Sequence, residues 1–306
     1  MKIIRKRKWD VNEISSGSNL ILNMAFIAYS FVCIMPLILV FLASFTDEKT
    51  LLANGFSLFP AKFSLEAYKF IFNAPAMIIR GFKNSLSVTA IGTISSLLIT
   101  SMIAYPLSRK ELKYRNAISF YIFFTMLFSG GLVPWFMVYK NVLNLYNNPA
   151  VLVLPYLVNS FNVIIMRTFF KMNIPDEVIE SARIDGANDM RIFFSIVVKL
   201  SLPAFATIGL FNTLGFWNDW WLSLLFITDE RFMTIQYLMY SAIKNMQAIA
   251  EKAMIISQYG GMRPSDIPTE AVKMGMAIIG IGPIIFAYPF YQKYFIKGLT
   301  LGAVKG

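Results

Sequence analysis

The chain has no histidine and one cysteine, Cys33, in 306 residues. Without an imidazole there is no serine-type triad, no histidine-ligated metal and no side chain that titrates near neutral pH by default. With one thiol there is neither a disulfide within the chain nor a thiolate cluster, so no metal site is expected. No G-x-x-x-x-G-K-[ST] segment occurs either, so the chain lacks a loop to cradle ATP phosphates and no cofactor of its own is expected. Charged residues make up only 15% of the chain against 57% apolar ones. These absences weaken most enzyme readings at once and point to a polytopic, all-α membrane protein. The net charge of +11 would suggest nucleic acid in a soluble protein. Here the basic residues lie in short runs beside apolar stretches, so membrane orientation accounts for them and no nucleic-acid partner is expected.

About six transmembrane helices are expected. Residues 1–19, with Lys2, Arg5, Lys6, Arg7 and Lys8, read as a cytoplasmic tail. The first span is 20–45; it exceeds the roughly 7 to 15 residues of a signal-peptide core, and Pro36 should kink it. An exterior loop, 46–83, holds a short amphipathic piece at 65–72. The core, 84–290, carries five further spans. The second, 84–107, is rich in small residues such as Ser85, Gly92, Ser96 and Ala104, which permit close helix contact. Arg109, Lys110, Lys113 and Arg115 form a basic connector. The third span, 117–139, should break at Gly130-Gly131 and Pro134. The fourth covers 150–170, the fifth 204–227 and the sixth 273–290, with an exterior segment at 228–272 that is helical over 236–253. Residues 291–306 form a second cytoplasmic tail. This division places the larger share of lysine and arginine on the side of both termini, as the positive-inside rule requires.

The stretch 171–203 between the fourth and fifth spans stands out. Each of Arg183, Asp185, Asp189 and Arg191 would cost roughly 2.5 to 3.5 kcal/mol at the centre of a spanning helix, so this segment belongs outside the bilayer. Pro175 suits a first helical position, and Asp176, Glu177 and Glu180 complement the amides of a helix start. Val178, Ile179 and Ala182 give an apolar stripe, and Gly186 ends the helix. A second helix follows with Met190, Phe193, Phe194 and Val197 on one side, and Pro203 ends it. A greasy-and-polar helix-turn-helix of this kind is shaped to be gripped by another protein.

Glu180-Ser181-Ala182, then Asp185-Gly186-Ala187, then Ile196 and Pro203 resemble the cytoplasmic coupling loop of permease subunits of binding-protein-dependent ABC importers. The pattern in that family is E-A-A, three residues, G, and later I-x-L-P. Ser181 stands in place of an alanine and Lys199 in place of the first proline, which bears on the helix bend. The ending Gly298 to Gly306 resembles that of a maltose-type subunit, and the likeness covers about 84–306. The resemblance implies a type I ABC importer permease fold in a prokaryotic plasma membrane. It also implies a heterodimer with a second permease, two ATPase subunits that hold ATP and Mg, and an extracytoplasmic solute-binding protein. Glu180, Ser181, Ala182, Asp185, Gly186 and Ala187 would then face the ATPase. Thr300, Val304, Lys305 and Gly306 would reach the ATPase interface.

Gly215 to Trp221, read G-F-W-N-D-W-W, is the most unusual membrane stretch. Sugars present hydroxyls on their edges and CH groups on their faces, so amide, carboxylate and flat aromatic groups suit them. Trp217, Asn218, Asp219 and Trp220, with Asn212, are candidates for the substrate pathway or a gate; an interfacial aromatic belt is the competing reading. Asn84 and Asn212 suit interhelical hydrogen bonding. Subfamily likeness favours a sugar, an oligosaccharide in particular, while a peptide or other polar solute stays open. A secondary transporter would carry ionisable groups deep in its spans and an inverted repeat, neither of which stands out. A membrane enzyme would need clustered acids, histidines or cysteines at one membrane face.

Overall fold

The computed structural model describes residues 16–257 and 269–294. Among these residues the chain is helical, and extended pairing is confined to one isolated bridge between Thr46 and Phe63. The chain divides into two compact units, one built from residues up to Ile71 with Ala253–Ile278, the other from Phe72–Lys252 with the chain after Ile279.

The first unit contains α1 (Ser16–Ser44), α2 (Glu48–Asn54), α3 (Glu66–Ile71) and the opening turns of α14 (Thr269–Ile285). α1 runs through Pro36 without interruption. Its apolar side chains, among them Leu20, Phe26, Tyr29 and Phe31, are exposed on every side, as expected of a helix solvated by lipid or covered by another subunit. The Asp47 side chain caps α2 by accepting from the Thr50 amide. Glu48, itself buried, performs the same service at a distance. Its two carboxylate oxygens each accept from an α14 amide, Glu270 and Ala271, at 2.9 Å. Negative charge on the exposed amides of a helix start is stabilising, which explains why a buried carboxylate is tolerated here. Gly275 lets α14 approach closely, since a Cβ there would lie 2.9 Å from the Ile71 side chain.

The second unit is organised around α4 (Pro75–Ser108). At 34 residues it is about 50 Å long, well beyond the roughly 30 Å of a hydrocarbon core. It starts nine residues before the expected span, because Pro75 at a first-turn position opens the helix early. Its buried face carries Ser85, Gly92, Ser96, Ser101 and Ala104, against which α7 and α11 pack. A Cβ on Gly92 would come within 2.7 Å of the Phe216 ring, so that contact requires glycine.

Among the described residues three helices, Gly17–Ser44, Pro75–Ser108 and Thr269–Tyr294, are each long and apolar enough to cross a membrane, and three bent pairs bring the number to as many as six. The third expected span is the pair α5 (Arg115–Leu127) and α6 (Leu132–Met137), followed by a π-helical turn at Val138–Val142. The bend is 113° and lies at Gly130-Gly131, where Gly131 has φ +85°. The fourth differs from the expected continuous helix over 150–170. Short 3₁₀ turns at Pro149–Leu152 and Leu154–Tyr156 precede α7 (Ser160–Asn173), with a 49° bend. The cause is local: Pro149 and Pro155 start the short turns, and the Asn159 side chain caps α7 by accepting from the Asn162 amide at 3.2 Å.

Between α7 and α11 (Leu202–Trp217) lie α8 (Asp176–Ile184), α9 (Asp189–Ile192), a π-helical turn at Phe193–Val197 and α10 (Val198–Leu200). The α9–α10 segment meets α11 at 83°. The fifth expected span, 204–227, is likewise interrupted: α11 ends at Trp217 and α12 covers Trp221–Phe226. α13 (Ile235–Ser257) follows, and α14 begins four residues before the expected start of the sixth span.

Candidate functional site

Two sites occupy opposite ends of the same helices. α7 and α11 are joined by the 174–201 hairpin at one end and line a cavity at the other.

The hairpin is built by its own sequence. Pro175 precedes α8, and Asp176 and Glu177 occupy its first turn. α8 ends in a Schellman arrangement: the Gly186 amide donates to Arg183 O at 3.0 Å and the Ala187 amide to Ala182 O at 2.9 Å. Gly186 sits at φ +80°, a conformation that costs other L-residues about 1 to 2 kcal/mol. Asn188 then caps α9, its side-chain oxygen accepting from the Arg191 amide at 2.8 Å. Ile179, Ile192, Phe193 and Val197 face the core with Phe170, Met166 and Tyr105. Met190 and Phe194 differ from the expected apolar stripe: both are about half exposed, while Ile192, Phe193 and Val197 carry the buried face. Lys199 lies exposed in α10.

The outward face presents Glu180, Ser181, Asp185 and Gly186, all exposed, with Ala182 and Ala187 half-buried beneath. Beside it Arg183 bridges Glu111 at 3.3 Å and Asp189 at 3.2 Å. The hydrogen bond to Asp189 raises the affinity of the Arg183 guanidinium for its proton.

The cavity, about 640 Å³, is lined by Tyr156, Asn159, Phe161, Asn162, Phe211, Asn212, Asn218, Asp219, Trp220 and Trp221 together with apolar and backbone neighbours. Four amides, one carboxylate and several rings converge there, and among the described residues no lysine or arginine lines it. The floor is a buried amide relay. Asn162 Nδ2 donates to Asn212 Oδ1 at 2.9 Å, and Asn212 Nδ2 donates to Ser96 Oγ at 3.0 Å, tying α7, α11 and α4 together. Asp219 is fixed by the Leu222 amide, which donates to its Oδ1 at 3.0 Å, so the carboxylate that caps α12 also faces the cavity. Trp220 stacks on Tyr240 with ring centroids 4.2 Å apart and planes 19° from parallel.

Of the predicted pathway residues, Asn212, Asn218, Asp219 and Trp220 therefore come together around this cavity. Trp217 does not line it. Its ring is 2% exposed and its Nε1 donates to Gly280 O at 2.9 Å, which makes it part of the packing between α11 and α14. Asn84 lies elsewhere, donating to the Arg231 and Met233 carbonyls at 2.8 and 2.9 Å. Thr300, Val304, Lys305 and Gly306 fall outside the described residues. Tyr156, Asn159, Asn162 and Trp221 were not singled out from the sequence; a polar amide inside an apolar stretch, as at Asn162, was the available signal.

Residues 96–300 match the model of the binding-protein-dependent transport system inner membrane component family. The chain belongs to that family. It is a multi-pass membrane permease subunit of an ABC importer, in which a separate ATPase supplies the energy. The polygalacturonan/rhamnogalacturonan transport system permease protein YtcP of Bacillus subtilis is 40% identical over 280 residues, covering 91% of this chain and 94% of that protein. The trehalose/maltose transport system permease protein MalG of Thermococcus litoralis is 27% identical, covering 94% and 97%. A chain from the crystal structure of a bacterial ABC transporter involved in import of the acidic polysaccharide alginate superposes with a TM-score of 0.75. That chain is 26% identical, with 92% of this permease and 99% of that chain covered.

Proposed function

We propose that this permease passes an oligosaccharide into the cytoplasm by alternating access, with the 174–201 hairpin as the handle on which the ATPase acts. The observation that carries the reading is the shared framework: α7 and α11 end at the hairpin on one side and at an amide- and aromatic-lined cavity on the other. A displacement of the hairpin is therefore a displacement of helices that form the cavity wall. Asn159, Asn162, Asn212 and Asn218 offer paired donors and acceptors to sugar hydroxyls, and Trp220 and Trp221 offer flat faces to sugar CH groups. The relatives named for polygalacturonan/rhamnogalacturonan and trehalose/maltose transport support a carbohydrate cargo.

In this reading Glu180, Ser181, Ala182, Asp185, Gly186 and Ala187 dock on the ATPase. The hairpin, the 109–115 connector and both termini lie in the cytoplasm. The working assembly pairs this chain with a second permease, two ATPase subunits carrying ATP and Mg, and a solute-binding protein outside. The second permease closes the open side of the cavity, and Thr300, Val304, Lys305 and Gly306 reach the ATPase interface. ATP binding favours the conformer in which the two hairpins approach each other, a population shift made through contacts that differ between states.

Reconstitution of the complete assembly in proteoliposomes tests this. Uptake of a labelled oligosaccharide is expected only with ATP and the binding protein together. ATP hydrolysis by this chain alone, or sugar uptake driven by a proton gradient alone, would overturn the proposal.

A further inference from the structure

Arg109 ends α4 with a side chain only 6% exposed, in a position where an unpaired guanidinium would be untenable. Its hydrogen bonds converge from segments far apart in sequence. NH2 donates to Phe170 O at 3.1 Å in the last turn of α7, NH1 to Ile174 O at 3.4 Å in the link, and NH1 to Asp176 Oδ1 at 3.1 Å at the start of α8. Nε donates to Ser108 Oγ at 3.0 Å, and the group lies over the Tyr105 ring, 5.6 Å from its centroid. Planar donors aimed in several directions at once are what a guanidinium provides and an ammonium does not. About 20 Å back along the same α4, Ser96 accepts from Asn212 of the cavity relay.

We infer that Arg109 is the positioning residue that couples hairpin to cavity: it locks the start of α8 to the ends of α4 and α7, so that hairpin displacement is delivered to α4 rather than absorbed in the 174–176 link. This rests on the permease reading. Without Arg109 the link is held by Pro175 and by Lys110, which reaches Asp176 Oδ2 at 3.2 Å from an exposed position and so holds it weakly. The hairpin would still fold, because its caps and Ile179 packing are independent of Arg109. Its motion would still reach the cavity through α7 and α11, but α4 would no longer move with it. The predicted signature is thus a loss of sugar moved per ATP hydrolysed rather than a loss of folded protein.

The test uses the complete transporter in proteoliposomes, with uptake and ATP hydrolysis measured on the same preparation. Arg109→Lys keeps the charge and loses the fork; Asp176→Asn removes one acceptor charge without leaving a hole in the core. Lys110→Ala serves as the comparison. Both Arg109→Lys and Asp176→Asn are expected to lower the uptake-to-hydrolysis ratio, the lysine variant by at least about fivefold, in the usual range of coupling between sites. Lys110→Ala should leave the ratio within about twofold. A wild-type ratio in Arg109→Lys would overturn the inference, as would a variant that only lowers the yield of assembled transporter. If instead the wild-type assembly moves no sugar with ATP, the permease reading itself fails, and the two failures are distinguishable.

Discussion

The hairpin end and the cavity end of the second unit rest on the same helices but use opposite chemistry. At the hairpin, Arg109, Lys110, Glu111, Asp176, Arg183 and Asp189 form ion pairs, most of them exposed. At the cavity the floor is a neutral relay of Ser96, Asn212 and Asn162, with Asp219 as the one carboxyl among the described lining residues. Charge is inexpensive where water reaches and costly inside a bundle, so a surface read by a soluble partner can be ionic whereas a cavity floor buried among helices is better made of amides. The contrast also assigns different consequences to mutation at the two ends.

The largest effect expected is at the hairpin face. If the hairpin docks on the ATPase as proposed, Glu180→Arg reverses a charge in that contact, and a like-charge juxtaposition there would cost several kcal/mol, or about a hundredfold or more in affinity. Co-purification of the ATPase and sugar uptake should both collapse while this chain still inserts and folds. At the cavity the order reverses, with stability affected before partner binding. Asn212→Leu strands Asn162 and removes the tie to Ser96, costing about 1 to 3 kcal/mol, which a lowered melting temperature of the purified assembly would register. Gly186→Val forces a β-branched residue into left-handed backbone at a cost of about 1 to 2 kcal/mol; uptake should fall about tenfold with ATPase retention weakened less than in Glu180→Arg. Asp219→Ala removes the α12 cap for about 1 kcal/mol and should raise the KM for uptake without disturbing ATPase retention. Equal loss of ATPase retention in Asp219→Ala and Glu180→Arg would erase the distinction between the ends. Smallest is Lys62→Ala, whose pairing with Asp47 leaves the lysine 67% exposed, and which should change the melting temperature by less than the equivalent of about 1 kcal/mol.

The two ends were unequally legible in the sequence for the same reason. The hairpin announces itself because its signals are local: Pro175, the acidic first turn of α8 and Gly186 lie within a dozen residues and each fixes backbone geometry by itself. The relation of Phe193 to Phe194 is not legible there, since both rings are apolar and composition does not say which of two neighbours on a helix turns inward. The cavity depends on contacts between residues such as Asn162 and Asn212, fifty positions apart. G-F-W-N-D-W-W marked the right neighbourhood, but a string of aromatic residues does not say which ring turns inward. Trp217 went to the α14 contact and Trp220 to the cavity. The break before α7 was readable in principle, as Pro155 and the Asn159 cap are ordinary helix-start signals; the surrounding apolar residues made a continuous span look sufficient.

Whether a separate ATPase acts on the hairpin is tested most directly by cross-linking. Cys33 is the chain's one thiol, so a Cys33→Ser background with Ser181→Cys in the hairpin gives a single reporter on the exposed side of α8. In the assembled transporter that thiol is predicted to form a cross-link to the ATPase subunit that responds to ATP, and to resist impermeant maleimide applied to intact cells. Labelling of the hairpin thiol from outside the cell, with no cross-link to the ATPase, would contradict the account.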